Sequence, residues 1–234
     1  MAKLALSGIR ACVFDAYGTL FDVNSSARSA RAELGERWQA LADLWRLKQL
    51  QYTWLRGLGG HHADFWQVTG DALDFAMATL KMGDPALRKR LMDLYLSLSC
   101  YPEVPGTLRT LKDQGMRLAI LSNGTPGMLD SAVTNSGLAG VFDQVLSVEE
   151  IGIYKPHPSV YRLAADRLAI APGEGCFVSS NGWDACAAQS NGFRAVWCNR
   201  SGQEPERVPD EPEGSIASLS ELAGVVGLRG KTRA

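Results

Sequence analysis

The apolar run Ala11-Cys12-Val13-Phe14 breaks off at a carboxylate, Asp15, and a Gly18-Thr19 turn follows at once. A short, wholly apolar run bounded by turn residues reads as a strand buried on both faces, the kind that parallel sheets contain. The carboxyl end of such a strand is where an open α/β sheet meets its ligands. One acid is thereby placed at the mouth of a sheet. Two residues further on stands Tyr17, not a second acid. An isolated carboxylate in that position suits a nucleophile better than half of a metal site.

Four more apolar runs follow: Leu118–Leu121, Val145–Val148, Cys176–Val178 and Ala195–Cys198. Segments of helical period alternate with them, at Met128–Ser136, Val160–Leu168 and Trp183–Asn191. Alternating strands and helices predict an α/β chain with a doubly wound, parallel, Rossmann-like sheet. From Ala27 to about Ser99 the character changes to Ala, Leu, Arg, Gln and Trp, with no convincing strand. Gly57-Leu58-Gly59-Gly60 and Gly83-Asp84-Pro85 punctuate it into several helices. That length far exceeds a βα loop, so we expect an inserted helical cap subdomain over residues 21–99, above the strand tips, with residues 1–20 and 100–234 forming the core domain. After Arg200 the chain is polar and rich in Pro and Glu as far as Gly214, then offers a short helix at Leu219–Val226.

The bulk composition narrows the function classes. Of 234 residues, 46% are hydrophobic and 21% charged, which is ample for a globular core. A net charge of −1 gives no electrostatic reason to expect nucleic acid or an anionic membrane as partner. No run approaches membrane-spanning length, and Arg10 interrupts an N-terminal apolar stretch already too short for a signal peptide. The cysteines (12, 100, 176, 186 and 198) are odd in number and lack zinc spacing, as reduced thiols of a cytoplasmic protein would be.

Each strand end is followed by polar groups. After the first comes Asp15, after the second Ser122-Asn123-Gly124, after the third Lys155-Pro156, and after the fourth Ser179-Ser180-Asn181-Gly182-Trp183-Asp184. Singly they are unremarkable: Ser or Asn after a strand is usually a helix cap, Asp184 could cap its own helix, and a lone lysine is usually solvated. A doubly wound sheet would bring all four sets to one crevice.

The pattern Asp15-x-Tyr17-Gly18-Thr19, Ser122-Asn123, Lys155-Pro156 and Asp184 resembles the four motifs of the haloacid dehalogenase superfamily. Its details are similar to the L-2-haloacid dehalogenases: Phe14-Asp15 through Leu20, Ser122-Asn123-Gly124, Tyr161 six residues after Lys155, the loop Ser179 to Asp184, and Leu44 to Trp54 matching a cap helix that carries an arginine. The likeness runs from about Gly8 to Cys198. It implies hydrolysis of short L-2-haloalkanoic acids to (R)-2-hydroxy acids with inversion, using halide-bearing substrate and water alone, in a homodimer.

The resemblance also assigns roles. Asp15 is the nucleophile, held by Thr19 and Lys155. Ser122 and the backbone N–H groups of Ala16 and Tyr17 fix the substrate carboxylate, and Arg46 and Asn123 cradle the halide. Phe65 is an apolar wall, and Trp183 lines the pocket. Asp184 activates water for ester hydrolysis, steered by Lys155, Ser179 and Asn181, with Tyr161 either in the same network or packing on the sheet from its helix. Magnesium-dependent phosphatases of this superfamily carry a second acid in the first motif and a further acid in the fourth. Tyr17 and Ser180 stand in those places here, so no metal and no cofactor is expected. Such a phosphatase is the alternative; a scaffold without activity is disfavoured by the complete polar set, and no dinucleotide fingerprint is present.

Other residues have plainer readings. Helical spacing alone puts Arg46 on a solvated face with Gln49, Thr53 and Arg56. Trp38, Trp45 and Trp54 are expected in the cap's core, and Trp66 as well as Trp183 at the pocket. His61 and His62 read as surface residues, His157 as a residue without a catalytic partner, and Asp22 as a cap for the start of the insert.

Overall fold

The computed structural model describes residues 4–227. Six strands form one parallel sheet: β1 (Ala11–Phe14), β2 (Arg117–Ser122), β3 (Gln144–Ser147), β4 (Gly175–Ser179), β5 (Arg194–Cys198) and β6 (Gly214–Ile216). Their spatial order is β3-β2-β1-β4-β5-β6. The chain winds outward from β1 in both directions, so the crevice lies where β1, β2 and β4 end side by side. Register makes this concrete: Phe14 lies opposite Ile120 on one side and Val178 on the other. The N–H of Asp15 extends that ladder, donating to the Val178 carbonyl at 2.9 Å. All four β1 residues are fully buried, as their uninterrupted apolar run requires.

Five of the strands lie where the apolar runs predict them, each within a residue or two. The sixth, β6, corresponds to none of the apolar runs. It is a three-residue edge strand, Gly-Ser-Ile, at the end of the polar tail, and it is held by pairing with β5 rather than by any pattern of its own. The short helix expected at Leu219–Val226 is a single 3₁₀ turn, Leu219–Glu221, running into α10 (Leu222–Val225).

Between β1 and β2 lie α1 (Ser25–Ser29), α2 (Arg31–Leu34), α3 (Trp38–Gly59), α4 (Phe65–Thr79) and α5 (Pro85–Leu96). Local chemistry sets their ends. Asp64 and Asp84 accept hydrogen bonds from the first-turn N–H groups of α4 and α5, and Pro85 stands where α5 has an N–H to spare. The Gly57–Gly60 cluster does not interrupt α3 at its first glycine. The helix continues to Gly59 and stops at Gly60, whose φ of +69° is the left-handed ending that glycine allows. α3 packs along α4, with Trp45 buried between them and its indole N–H donating to the Thr69 carbonyl at 2.9 Å. Asp22 accepts from the Asn24 N–H at 3.0 Å and thus does close the turn into the insert. The core domain is completed by α6 (Val104–Asp113), α7 (Pro126–Asn135), α8 (Pro158–Leu168) and α9 (Gly182–Ser190).

Candidate active site

Asp15 stands just beyond β1 and is almost entirely buried. Its neighbours are all donors. Lys155 Nζ approaches Oδ1 at 3.1 Å, while Thr19 Oγ1 and Asn181 Nδ2 donate to Oδ2 at 3.0 and 2.9 Å, and Ser179 Oγ lies at 3.5 Å. Thr19 is itself tied down, its oxygen accepting from the Ser180 N–H at 2.8 Å. A charge-bearing carboxylate in so dry a place requires such partners. Those partners come from the tips of β1 and β4 and from the loop before α8.

Lys155 is 1% exposed and bridges two acids, reaching Asp184 Oδ2 at 2.8 Å as well as Asp15. Its ammonium also stands over the Phe177 ring, 5.0 Å from the centroid. Burial works against the charge, but the two carboxylates outweigh it and hold the Lys155 pKa above that of a free lysine. Asp184, on the first turn of α9, is fully buried, and Tyr161 on α8 donates to its Oδ1 at 2.7 Å. Burial, opposed by Lys155 and reinforced by Asp15, leaves the Asp184 carboxyl above the ordinary carboxylate range. It is therefore a stronger proton acceptor than a free carboxylate. Tyr161 is a partner of this acid as well as a core residue, edge-on to Phe177.

The second tip supplies Ser122 and Asn123, both buried. Ser122 Oγ accepts from the Gly124 N–H at 3.1 Å and so keeps its proton to donate elsewhere. Asn123 Oδ1 accepts from the Lys155 N–H at 3.1 Å, and its amide NH₂ has no hydrogen-bond acceptor among the described residues. Gly124 is required here, because a Cβ would fall 2.6 Å from the Tyr17 ring. That ring stacks on Tyr95 at 5.7 Å and faces Phe65 at 5.8 Å. Burial, with the Tyr95 and Asp15 side chains, lifts the Tyr17 phenol well above its usual pKa, so a neutral group occupies the place of a possible second acid. The Ala16 and Tyr17 N–H groups take no backbone or side-chain acceptor among the described residues.

From the cap, Arg46 on α3 reaches over the crevice. Its Nη2 donates to the Tyr17 carbonyl at 3.2 Å and to Asn181 Oδ1 at 3.3 Å. The solvated-face reading of this helix fails: Gln49 and Thr53 are buried, because α4 and the core domain cover the side they share with Arg46. Two tryptophans also differ from expectation. Trp54 is not cap core but packs edge-on against Trp183 at 5.4 Å, joining cap to core beside a groove of roughly 570 Å³ that Lys155 and Pro156 also line. Trp66 lies away from the crevice, beside Gly70, Arg88 and Met92 between α4 and α5. His62 is exposed yet paired with Glu149 at 2.9 Å, and Glu149 also accepts from the Phe65 N–H at 3.2 Å. His157 caps α8 and meets no catalytic group.

Sequence reasoning did not single out Gln49, Tyr95 or Arg200 as site residues. Arg200 Nη2 donates to the Thr19 carbonyl at 2.9 Å, its guanidinium lies over Tyr101, and it pairs with Glu103, bracing the loop that carries Asp15 and Thr19. The only hint is its place two residues after the fifth apolar run.

The donor set fits a divalent cation poorly. Among the described residues no group of three or more His, Cys, Asp or Glu side chains is gathered to hold one, and the Lys155 ammonium already stands between the two acids. What the arrangement can do is present a carboxylate with its charge fixed, a second carboxylate able to take a proton, and a guanidinium opposite both.

Known proteins fit this geometry. The family model of haloacid dehalogenase-like hydrolases matches residues 9–192. The (S)-2-haloacid dehalogenase 1 of Pseudomonas sp. (strain CBS-3) is 47% identical over 215 residues, covering 92% of this chain and 95% of that protein. A crystal structure of a dehalogenase superposes with a TM-score of 0.91 at 46% identity, covering 93% of this chain and 97% of the other. The L-2-haloacid dehalogenase from Xanthobacter autotrophicus, solved with chloropropionic acid covalently bound, gives a TM-score of 0.86 at 36% identity, covering 93% and 98%.

Proposed function

This chain belongs to the haloacid dehalogenase-like hydrolases and, among them, to the (S)-2-haloacid dehalogenases, and we propose that it hydrolyses short L-2-haloalkanoic acids through an ester of Asp15. The observation that carries the mechanism is the buried chain Asp15–Lys155–Asp184–Tyr161 lying beneath Arg46. In this reading the Asp15 carboxylate attacks C2 from the side opposite the halogen. The C–halogen bond breaks, and its electron pair leaves with the halide, so no general acid is needed. Arg46 and the Asn123 NH₂ receive the developing anion, for which a weakly hydrated guanidinium is well suited. Ser122 and the Ala16 and Tyr17 N–H groups hold the substrate carboxylate, with Phe65 and Trp183 as apolar walls.

Water then attacks the carboxyl carbon of the ester. Asp184 takes the water's proton and returns it to the C2 oxygen as the acyl carbon–oxygen bond of the ester breaks, releasing the hydroxy acid and the free Asp15 carboxylate, with Lys155, Ser179 and Asn181 orienting the reactants and Thr19 holding Asp15 for the next turnover. The C2–O bond formed in the first step survives the second. Configuration inverts once, giving an (R)-2-hydroxy acid. No cofactor enters this scheme.

We divide the chain into a core (1–20 and 100–234) and a cap (21–99). The two connections run side by side, Asp22 N–H to the Ser99 carbonyl and Tyr101 N–H to the Leu20 carbonyl, which supports that boundary. Exposed Leu47, Leu55 and Leu58 on α3 support a homodimer that buries them. Five free cysteines support a reducing, cytoplasmic setting. No helix among the described residues is long and apolar enough to cross a membrane.

The test is halide release from each enantiomer of 2-chloropropionate, with the product resolved as D- or L-lactate. The expected result is release from the L enantiomer alone, giving D-lactate, without added metal. Turnover of p-nitrophenyl phosphate that depends on magnesium, without halide release, would overturn it.

A further inference from the structure

The polar groups behind Arg46 form a relay with only one allowed direction. The Phe65 carbonyl can only accept, so the Thr69 hydroxyl, 2.6 Å away, must donate to it. The Thr69 oxygen is then an acceptor, and it takes Gln49 Nε2 at 2.7 Å. That fixes the Gln49 amide with Oε1 toward Arg46, whose Nη1 donates to it at 2.8 Å. A flipped amide would set NH₂ against the guanidinium and leave Thr69 facing a second carbonyl. Tyr95 seals the amide from its other side, its hydroxyl 3.1 Å from Nε2 and 3.3 Å from Oε1. Gln49, Thr69 and Tyr95 are all buried, so no water competes for these bonds.

We propose that Gln49 is a positioning residue which aims the Arg46 guanidinium at the leaving halide, and that Thr69 sets the polarity of its amide. One Arg46 nitrogen is anchored to the cap in this way, while the other reaches Tyr17 and Asn181 on the core. The aim of the guanidinium is thus tied to the α4 terminus that carries Phe65, so halide cradle and apolar wall are held as one unit. The inference rests on the assignment of Arg46 to the halide.

Stabilisation of a departing anion matters more for the poorer leaving group. Loss of aim must therefore slow displacement of chloride more than of bromide, whereas general loosening lowers both alike. The full-length protein is mixed in excess with L-2-chloropropionate or L-2-bromopropionate, and the halide-release burst is followed separately from the slower ester hydrolysis. For Gln49→Leu we expect the chloride burst to slow at least about tenfold and the bromide burst only about threefold, with hydrolysis unchanged. Thr69→Val, which keeps the shape and removes the hydroxyl, should shift the chloride-to-bromide ratio the same way by about twofold, and Thr69→Ser should restore it.

An unchanged ratio in both Gln49→Leu and Thr69→Val would overturn the proposal. If Gln49→Leu does not fold, the Thr69→Val and Thr69→Ser pair decides alone. Arg46→Ala separates the two claims. If that variant keeps the wild-type burst, the assignment of Arg46 itself fails. If it loses the burst while the Gln49 and Thr69 variants keep their ratio, only the positioning role fails.

Discussion

The floor of the crevice and its ceiling are built by different means. On the floor, each polar side chain comes from the segment that joins a strand tip to the next helix or from that helix's first turn, and meets a partner from a neighbouring tip. Asp15, Thr19, Lys155, Ser179, Asn181 and Asp184 form one closed set of bonds. On the ceiling a single guanidinium comes from the middle of a helix. It is aimed by side chains from three helices, with Gln49 on α3, Thr69 on α4 and Tyr95 on α5. The floor is assembled by the sheet and the segments that leave its strand tips, and in the proposed reaction it supplies the nucleophile and the proton acceptor. In the proposed reaction the ceiling supplies the cation that receives the leaving group, with Asn123 as the floor's share of that cradle, and Arg46 reaches the floor at Tyr17 and Asn181. Chemistry and selectivity are thus held on separable parts, and a mutation should damage one without the other.

The largest effect should follow from removing the floor's nucleophile. Asp15→Asn keeps the shape and most of the donors' geometry, so the fold should survive, while turnover should fall at least about 10⁴-fold. Halide release from L-2-chloropropionate measures this, with the melting temperature as the check on folding. Wild-type rates would remove Asp15 from the mechanism, and the floor would then need another nucleophile. Removing the ceiling's cation should cost less. Arg46→Ala should lower the rate by about 10²–10³-fold, as when a partner of transition-state charge is lost. The distinguishing sign is where the loss falls: on the halide-release burst and not on ester hydrolysis. A change below about twofold would mean that the ceiling contributes shape alone.

The same contrast explains what could be read in the sequence. Asp15, Ser122 and the loop Ser179 to Asp184 were legible because each stands where an apolar run stops, and Lys155 because it follows the third run before the next helix; a parallel sheet brings such ends together. The ceiling has no comparable rule. Spacing puts Arg46, Gln49 and Thr53 on one side of α3, but not against α4 or water, and the water-facing reading was wrong for Gln49 and Thr53. Only the motif resemblance pointed to Arg46. Trp54 and Trp66 exchanged their expected places for the same reason: an aromatic ring on a helix declares burial and not its neighbour. β6 escaped because three residues cannot show a period, and it exists only as a partner of β5.

A smaller effect tests the floor's second acid. Asp184 must be ionised to accept a proton, and burial raises its carboxyl above the ordinary value. Activity should therefore fall as pH drops through a point higher than for a free aspartate. Tyr161 opposes that shift by donating to the ionised form. Tyr161→Phe should then move the acid limb of kcat to higher pH and lower the plateau roughly tenfold, the weight of one hydrogen bond to a charged group. An acid limb that stays in place would show that another group takes the proton. Because the burst passes no proton to Asp184, Tyr161→Phe should leave the pH profile of the burst where the wild-type protein has it.

The smallest effect should come from the seam between the two regions. Glu149, just past β3, holds the cap loop in two ways, accepting from the Phe65 N–H and pairing with His62. Both side chains of the pair are partly open to water, at 28% and 21%, and such pairs contribute about 0.2–1 kcal/mol. Nearby, the Tyr154 hydroxyl donates to the Ala63 carbonyl, and Trp54 rests on Trp183, so the cap keeps other moorings. Glu149→Gln should accordingly raise KM by no more than about threefold and leave kcat within error. The chloride-to-bromide ratio should stay at its wild-type value, since the relay behind Arg46 lies wholly within the cap. A shifted ratio would mean that the guanidinium is aimed by how the cap is seated on the core, and the independence of ceiling from floor would be lost.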